Sequence, residues 1–289
     1  MNQALAGSVY KPHKNSNKMS FKTYLFLSFA AIFLLGGCLV IDDAYNGLPP
    51  GKWRGVVQLE PSYITPNPKG KRLPEKLNLE FEDVTVGELP FQFTVSYPTP
   101  DSFVIALHKA GGEIILSDYT IGRDFSTAKD TLTIRFPGTT NYIRGVFEEK
   151  ILEGHWFYTH PSGEQKSIPV IARQGQDYLF TTLRKTPEAD VNGDWNLLVN
   201  VDSEQPEPAI LSLKAKENEL QGTLEWQGRR YEALSGTIQA RKLYLSFFDG
   251  RDALLLEAKV MENGELYGAL ASGGSGKMLW QANKNQRNQ

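Results

Sequence analysis

Cysteine is nearly absent from this chain of 289 residues, and the single one, Cys38, stands close to its beginning. One cysteine cannot form an internal disulfide, and it cannot supply the Cys-x-x-Cys pair of a thiol–disulfide oxidoreductase. We therefore expect the fold to rest on its apolar core alone. The same absence removes thiol redox chemistry from the activities open to the chain.

Sequence signals for catalysis and for metal binding are also missing. No Gly-x-Ser-x-Gly nucleophile elbow occurs, and the glycine-rich run at 273–277 lacks residues that a phosphate-binding loop needs. The histidines that follow Cys38 have no cysteine beside them to complete a zinc site; they are His108, His155 and His160. We therefore predict that the protein is not an enzyme and that it holds neither a metal nor a cofactor.

The most informative stretch lies just before Cys38. Residues 24–35 are apolar apart from one serine and one tyrosine hydroxyl, but they are too few for a membrane-spanning helix of about 20 residues. A basic Lys22 precedes them and two glycines follow, as in a signal peptide. Leu35-Gly-Gly-Cys38 also resembles the bacterial lipobox, in which cleavage takes place before an acylated cysteine. We therefore predict a signal peptide over 1–37 and lipid attachment at Cys38.

A lipidated cysteine predicts the location of the protein and one of its partners, the membrane. Several acyl chains together hold a protein durably at a bilayer. Leu39 stands where an Asp would retain a lipoprotein at the inner membrane in some bacteria, which favours the outer membrane of a bacterial envelope and leaves its periplasmic or surface side open. Met19 forms an ordinary signal-peptide start, so it is a second candidate for the first residue. Without residues 1–37 the formal net charge falls from −2 to −6, which argues against nucleic acid as a partner.

Beyond residue 50 the pattern is that of strands and turns. Short alternating runs are separated by turn signals such as Gly111-Gly112, and no stretch of about a dozen residues shows the period of a helix. The first part contains strand-like runs at 51–59, 76–81, 91–97, 103–107, 113–119, 131–136, 142–147, 152–158 and 167–172. The second part contains eight runs at nearly even spacing, which is typical of an up-and-down antiparallel barrel.

The predicted fold is all-β, with two tandem antiparallel β-barrel or meander domains of the lipocalin or avidin kind. Gly51-Lys-Trp53 and Gly193-Asp-Trp195 each open a strand after a polar linker, which predicts two domains of similar build with a tryptophan plugging one end. Alternation places Leu243 and Leu245 on one face of their strand and Tyr244 on the other. The predicted boundaries are a tether at 38–50, a first β domain at 51–182, a linker at 183–192, an eight-stranded barrel at 193–283 and a polar tail at 284–289.

Two segments of the second part carry a family resemblance. Residues 222–236 (GTLEWQGRRYEALSG) and 245–258 (LSFFDGRDALLLEA) resemble the region that precedes the thioredoxin domain in TlpA-type bacterial lipoproteins. Trp53-Arg-Gly55, Leu89-Pro-Phe91-Gln-Phe93 and Gly154-His-Trp156 are similar to the same region. In those relatives a thioredoxin domain with a Cys-x-x-Cys motif would follow, whereas here a polar tail follows. The resemblance therefore implies an accessory role beside a separate thioredoxin-like protein, without thiol–disulfide activity of its own.

Aromatic residues are the candidate contacts to a ligand or partner. They are Trp156, Trp226 and Tyr231, each in or beside a strand. The leading hypothesis is a non-enzymatic binding or accessory module, whose partner is an envelope protein or a small apolar ligand. Two alternatives stay open. One is a hydrolase acting on a polysaccharide or ester through carboxylates such as Glu80 and Glu82, which would share a strand face, and the other is a structural spacer.

Overall fold

The computed structural model describes residues 47–59, 78–160, 162–273 and 276–285, and these residues form strands, turns and irregular segments without a helix. The prediction of an all-β fold with two tandem antiparallel β units is confirmed. No helix that could cross a membrane occurs in this part of the chain. The predicted signal peptide, Cys38 and the tether up to residue 46 lie outside the described residues.

Nine strands form the first unit, here called the first sheet. They are β1 Gly51–Gln58, β2 Glu88–Thr99, β3 Ser102–Lys109, β4 Gly112–Leu116, β5 Tyr119–Asp124, β6 Lys129–Arg135, β7 Tyr142–Glu148, β8 Ile151–Thr159 and β9 Gln165–Gln174. Their spatial order is β4-β3-β2-β1-β9-β8-β7-β6-β5. The first strand thus lies in the middle of the sheet, because β1 pairs with β2 on one side and with β9 on the other.

The edge strands β4 and β5 follow each other along the chain, with only Ser117 and Asp118 between them. A single strand at 113–119 is predicted here from the sequence, and this prediction is wrong, since β4 pairs with β3 while β5 pairs with β6. β4 and β5 together resemble one strand with a sharp bend, and the strand paired with it changes from β3 to β6 at that bend. Stacked rings of Phe103 and Tyr119, with centroids 4.0 Å apart, fill this bend.

Eight strands form the second unit, the barrel. They are β10 Gly193–Val199, β11 Glu207–Lys216, β12 Glu219–Trp226, β13 Arg229–Gln239, β14 Lys242–Phe248, β15 Ala253–Val260, β16 Leu266–Ser272 and β17 Met278–Lys284. The barrel is closed because β10 pairs with both β11 and β17. The eight strands predicted for this part are confirmed. If β4 and β5 are counted as one bent strand, the first sheet is also a meander of eight strands. It differs from the barrel in that it is interrupted at the bend between β4 and β5.

Both units begin with the same local structure. Gly51 and Gly193 have φ angles of +122° and +111°, which glycine adopts at little cost. Trp53 and Trp195 follow, at most 1% exposed, and each donates its indole N–H to the backbone carbonyl four residues earlier, at 3.0 and 2.9 Å. The two Gly-x-Trp motifs are therefore equivalent, and both tryptophans are core residues, as predicted.

The strand predicted at 76–81 is not formed over its described part, residues 78–81, where an isolated bridge joins Phe81 to Val84. This segment lies against the outside of the barrel instead. Leu79 packs on Ala269, and its carbonyl accepts a hydrogen bond of 2.5 Å from the Tyr244 hydroxyl. The apolar alternation of the segment thus reflects packing on another unit, and Glu80 and Glu82 do not share a strand face.

Three neighbouring strands of the barrel, β14 to β16, are buried on both faces. Inward side chains such as Leu243 belong to the barrel core, whereas outward side chains such as Tyr244 and Leu255 belong to the core of the first sheet. The predicted alternation at 243–245 is confirmed. The first sheet and the barrel therefore share a buried contact.

The turn between β14 and β15 docks into the first sheet. The Gly250 carbonyl accepts hydrogen bonds from the Asn141 amide at 3.0 Å and from the Trp156 indole at 3.1 Å. Asp249 closes the turn by accepting bonds from the backbone N–H groups of Arg251 and Asp252. Burial raises the pKa of Asp249, and these two bonds oppose the rise. The docking turn thus holds the two units together through directional bonds as well as apolar packing.

Replacing Tyr244 by Phe is expected to weaken the loss of stability at alkaline pH. Burial, and secondarily the negative charge of Glu257 opposite, raises the pKa of Tyr244 above its ordinary 10.0. The phenol stays protonated in the folded protein while it ionises in the unfolded chain, so the free energy of unfolding falls as the pH rises above about 10. Urea denaturation between about pH 9 and pH 11 measures this slope. Equal slopes for Tyr244→Phe and wild type would contradict the assignment.

Trp280 tests the value of an indole hydrogen bond inside the barrel. It is fully buried, and its indole nitrogen has no hydrogen-bond partner among the described residues. We expect Trp280→Phe to cost about 1 kcal/mol less than Trp195→Phe, because the latter change also breaks the bond to the Val191 carbonyl. Urea denaturation of the two variants, which lose the same ring volume, measures the difference. A larger cost for Trp280→Phe would refute this expectation.

Candidate functional site

A cleft of about 590 Å³ opens between the first sheet and the barrel. Its volume is within the range of roughly 300–1,000 Å³ of ligand sites, which often lie where two domains meet. One wall is formed by part of the connecting segment, the residues 175–192 between β9 and β10. The cleft is lined mainly by 90–92 and 108–110 of the first sheet, 177–184 of the connecting segment, and 217–221, 235–237 and 246–248 of the barrel.

The connecting segment is attached to the first sheet through Arg54. The Arg54 Nε donates to the Leu179 carbonyl at 2.7 Å, and its guanidinium lies 4.9 Å from the centroid of the Tyr178 ring. Burial lowers the pKa of Arg54, and the Tyr178 phenol opposes this shift. Beside it, Lys52 and Asp177 form an exposed ion pair at 2.8 Å.

The same segment is attached to the barrel through two amide side chains. The backbone N–H of Lys185 donates to Gln239 Oε1 at 2.7 Å, and Asn218 Nδ2 donates to the Lys185 carbonyl at 2.7 Å. Gln239 is only 1% exposed, so its bond is shielded from water. The segment that includes the predicted linker is therefore a fixed wall of the cleft where it passes between the two units.

On the barrel side of the cleft, two strands separate. β13 and β14 pair only along Ser235–Gln239 of β13, so residues 229–234 have no partner on β14. On its other side β13 carries a bulge, where the register with β12 shifts beside Gly222. At this bulge Ala233 has a φ of +68°, a left-handed value that is uncommon for any residue other than glycine. The cleft is therefore bordered by an irregular strand edge.

On the opposite side, β2 and β3 separate in the same way. Their regular pairing ends at Phe93 and Leu107, so residues 90–92 of β2 have no partner on β3. On the other side of β3, His108 and Lys109 still pair with β4. Among the described residues, the first sheet thus brings 90–92 of β2 to the cleft and the barrel brings Ala233 of β13, each without a pairing partner on one side.

Neutral side chains dominate the lining of the cleft. Amides and hydroxyls of Gln92, Gln221 and Ser235 line it together with the ring of Phe247. Among the charged residues, Arg184 and Glu217 lie 3.9 Å apart as an exposed pair. No group of three or more His, Cys, Asp or Glu residues that could hold a metal is found in the described part of the chain. This lining can form neutral hydrogen bonds and apolar contacts.

The three predicted contact residues do not line the cleft, and all three are buried. Trp156 lies in the contact between the units. Trp226 is 5% exposed and donates its indole N–H to Glu207 at 2.9 Å, and Tyr231 meets Phe247 edge to face, with centroids 5.7 Å apart. Trp226 and Tyr231 are close together on adjacent strands of the barrel. A ligand contact by any of the three stays a prediction.

Sequence reasoning missed the cleft because its lining residues carry no motif. Gln92, Gln221 and Ser235 are ordinary polar residues of alternating strands. One signal was available in the second part: Tyr244 and Leu255 are large apolar residues at outward positions. An outward face of this kind indicates a second layer that covers it.

Comparison with known proteins does not supply a function. No family model and no curated protein matches the chain. A crystal structure of a protein with unknown function from the DUF3598 family of Nostoc punctiforme is similar over 81% of this chain and 94% of its own, with 11% sequence identity and a TM-score of 0.24. A similarity this weak carries no argument, so the proposal below rests on the sequence and on the cleft.

Proposed function

We propose that this protein is a binding or accessory module of the bacterial envelope, anchored by a lipid, and that it does not catalyse a reaction. The observation that carries the proposal is the cleft between the first sheet and the barrel, with a wall held on both sides and a mainly neutral lining. A preformed concave site with a few placed polar groups is what ligand recognition needs. The partner is an envelope protein or a small apolar ligand.

Attachment through Cys38 is supported by the sequence of residues 22–38, and Leu39 favours the outer membrane. Cells that express the full chain are labelled with radioactive palmitate and then fractionated. The wild type is expected to carry label and to sediment with outer membranes, whereas Cys38→Ser is expected to carry none. An unlabelled wild-type chain would remove the lipid anchor from the proposal.

The accessory role is supported by the resemblance of residues 222–236 and 245–258 to TlpA-type lipoproteins. The mature chain, made without its lipid, is first weighed by native mass spectrometry and then used to capture proteins from envelope extract. A reproducible bound mass or a captured thioredoxin-like protein is expected. A clean apo mass together with an empty capture would refute the binding function and favour a spacer.

The hydrolase alternative is not favoured by the described residues. One histidine lies near both a hydroxyl and a carboxylate: Thr94 and Glu113 lie 2.9 and 3.5 Å from the same ring nitrogen of His108, Nε2. A triad needs the carboxylate at the opposite nitrogen, where it orients the ring. Glu82 forms an exposed ion pair with Lys185 at 2.8 Å, and it does not share a strand face with Glu80.

A further inference from the structure

We propose that the cleft binds an extended peptide segment of a partner protein by strand addition. This inference rests on the proposed binding function and names the class of ligand. In strand addition a peptide pairs with an uncovered strand edge through its backbone, and its alternate side chains enter pockets. The geometry that points to it is the presence of such edges on both sides of one cleft.

On the barrel side the uncovered edge is residues 229–234 of β13, which lack a partner on β14. Backbone N–H and C=O groups must be paired by some partner, whether protein or water. Edges of this kind are usually covered, because they invite pairing with other chains. Of this stretch, Ala233 lines the cleft, next to Ser235, which is the first residue of β13 that pairs with β14.

Ala233 adds a second, independent observation. Its φ of +68° lies inside β13, whereas the other residues that share a positive φ without being glycine are in turns, loops or bends of the described chain. Strained backbone of this kind costs about 1–3 kcal/mol and is concentrated at functional sites. The bulge at this position interrupts the regular ladder between β12 and β13, and Ala233 lines the cleft.

The opposite wall supplies the matching edge at 90–92 of β2, which also lines the cleft. In the lining of the cleft, Gln92 and Gln221 offer amides, while Phe247 and Leu179 offer apolar surface. The amides can form hydrogen bonds with the polar backbone groups of a peptide, and the apolar surface can pack against its apolar side chains. The ligand is therefore an extended peptide with alternating neutral and apolar side chains.

The test selects binders from a phage-displayed library of random peptides. The target of the selection is the mature chain with Cys38→Ser, which carries no lipid. Gln221→Trp fills the cleft, and Gln281→Trp is the matched control, since Gln281 is an exposed glutamine on β17 that does not line the cleft. We expect the wild type to enrich alternating peptides, the control to bind a synthetic copy equally well, and Gln221→Trp to bind it at least about tenfold more weakly. If Gln221→Trp does not fold, Lys109→Trp replaces it, because Lys109 lines the cleft on the side of the first sheet. The same loss of peptide binding is expected for that variant.

Two further outcomes decide the mode of binding. A peptide methylated at alternate backbone nitrogens is expected to lose binding, and bound peptide is expected to slow hydrogen exchange at Ala233.

Failure to enrich any peptide, or equal binding by the cleft-filling variants and the control, would overturn the inference. If peptides do not bind but envelope capture still recovers a partner, the proposed binding function stands and only strand addition is wrong. An empty capture together with a clean apo mass would contradict both the binding function and strand addition.

Discussion

Gly250→Ala is expected to lower the free energy of unfolding by about 3–5 kcal/mol. Gly250 has a φ of +81°, and a Cβ added there would lie only 1.9 Å from the ring of Phe136. Alanine therefore meets two costs, a strained backbone and a clash within the buried contact between the units. Because Phe136 is only 3% exposed, its ring has little room to move. Urea denaturation of the purified mature chain measures the loss.

Gly264→Ala is the matched control for the backbone cost alone. Gly264 has a φ of +84°, but nothing lies within 4 Å of an added Cβ. We expect this variant to lose only about 1–2 kcal/mol, from the left-handed backbone. Equal losses at the two positions would show that the docking turn is not tightly packed against the first sheet.

Trp156→Ala is expected to lower the free energy of unfolding by about 3–5 kcal/mol, the usual cost of removing a buried Trp. The Trp156 ring stacks on Tyr158 with centroids 4.6 Å apart and meets Phe248 of the barrel edge to face at 5.3 Å. Its loss leaves a cavity and takes one hydrogen bond from the Gly250 carbonyl. Trp156→Phe keeps part of the ring, so its loss should be smaller.

An exposed aromatic residue in the turn between β5 and β6 is the control for the loss of a buried ring. Phe125 is 93% exposed, so Phe125→Ala should change stability by no more than about 0.5 kcal/mol.

Trp156 and Gly250 are in contact, so the stability losses of Trp156→Ala and Gly250→Ala should not add in the double variant. Full additivity would contradict a shared contact, and a neutral Trp156→Ala would mean that the indole does not join the two units.

The barrel is the part of this protein that was most predictable from sequence. Its strands are joined by short turns, and each pairs with the next along the chain, so local alternation and turn residues are enough to find them. The same reasoning failed at 113–119 and 76–81. No glycine or proline interrupts the run at Ser117 and Asp118, although the chain changes its neighbour there. At Leu79 the pattern arises from packing on a distant unit rather than from pairing.

By itself, the sequence determined the all-β class, the eight strands of the barrel and the buried role of the two Gly-x-Trp tryptophans, because all three depend on neighbours a few residues away. Only the tertiary structure decided the cleft. Its walls come from residues more than a hundred positions apart, and its uncovered edges exist because β2 and β13 leave their partners where the two units meet. Contacts of such long range leave little signal along the chain, because apolar residues at outward positions such as Tyr244 and Leu255 indicate a second layer but not the residues that form it.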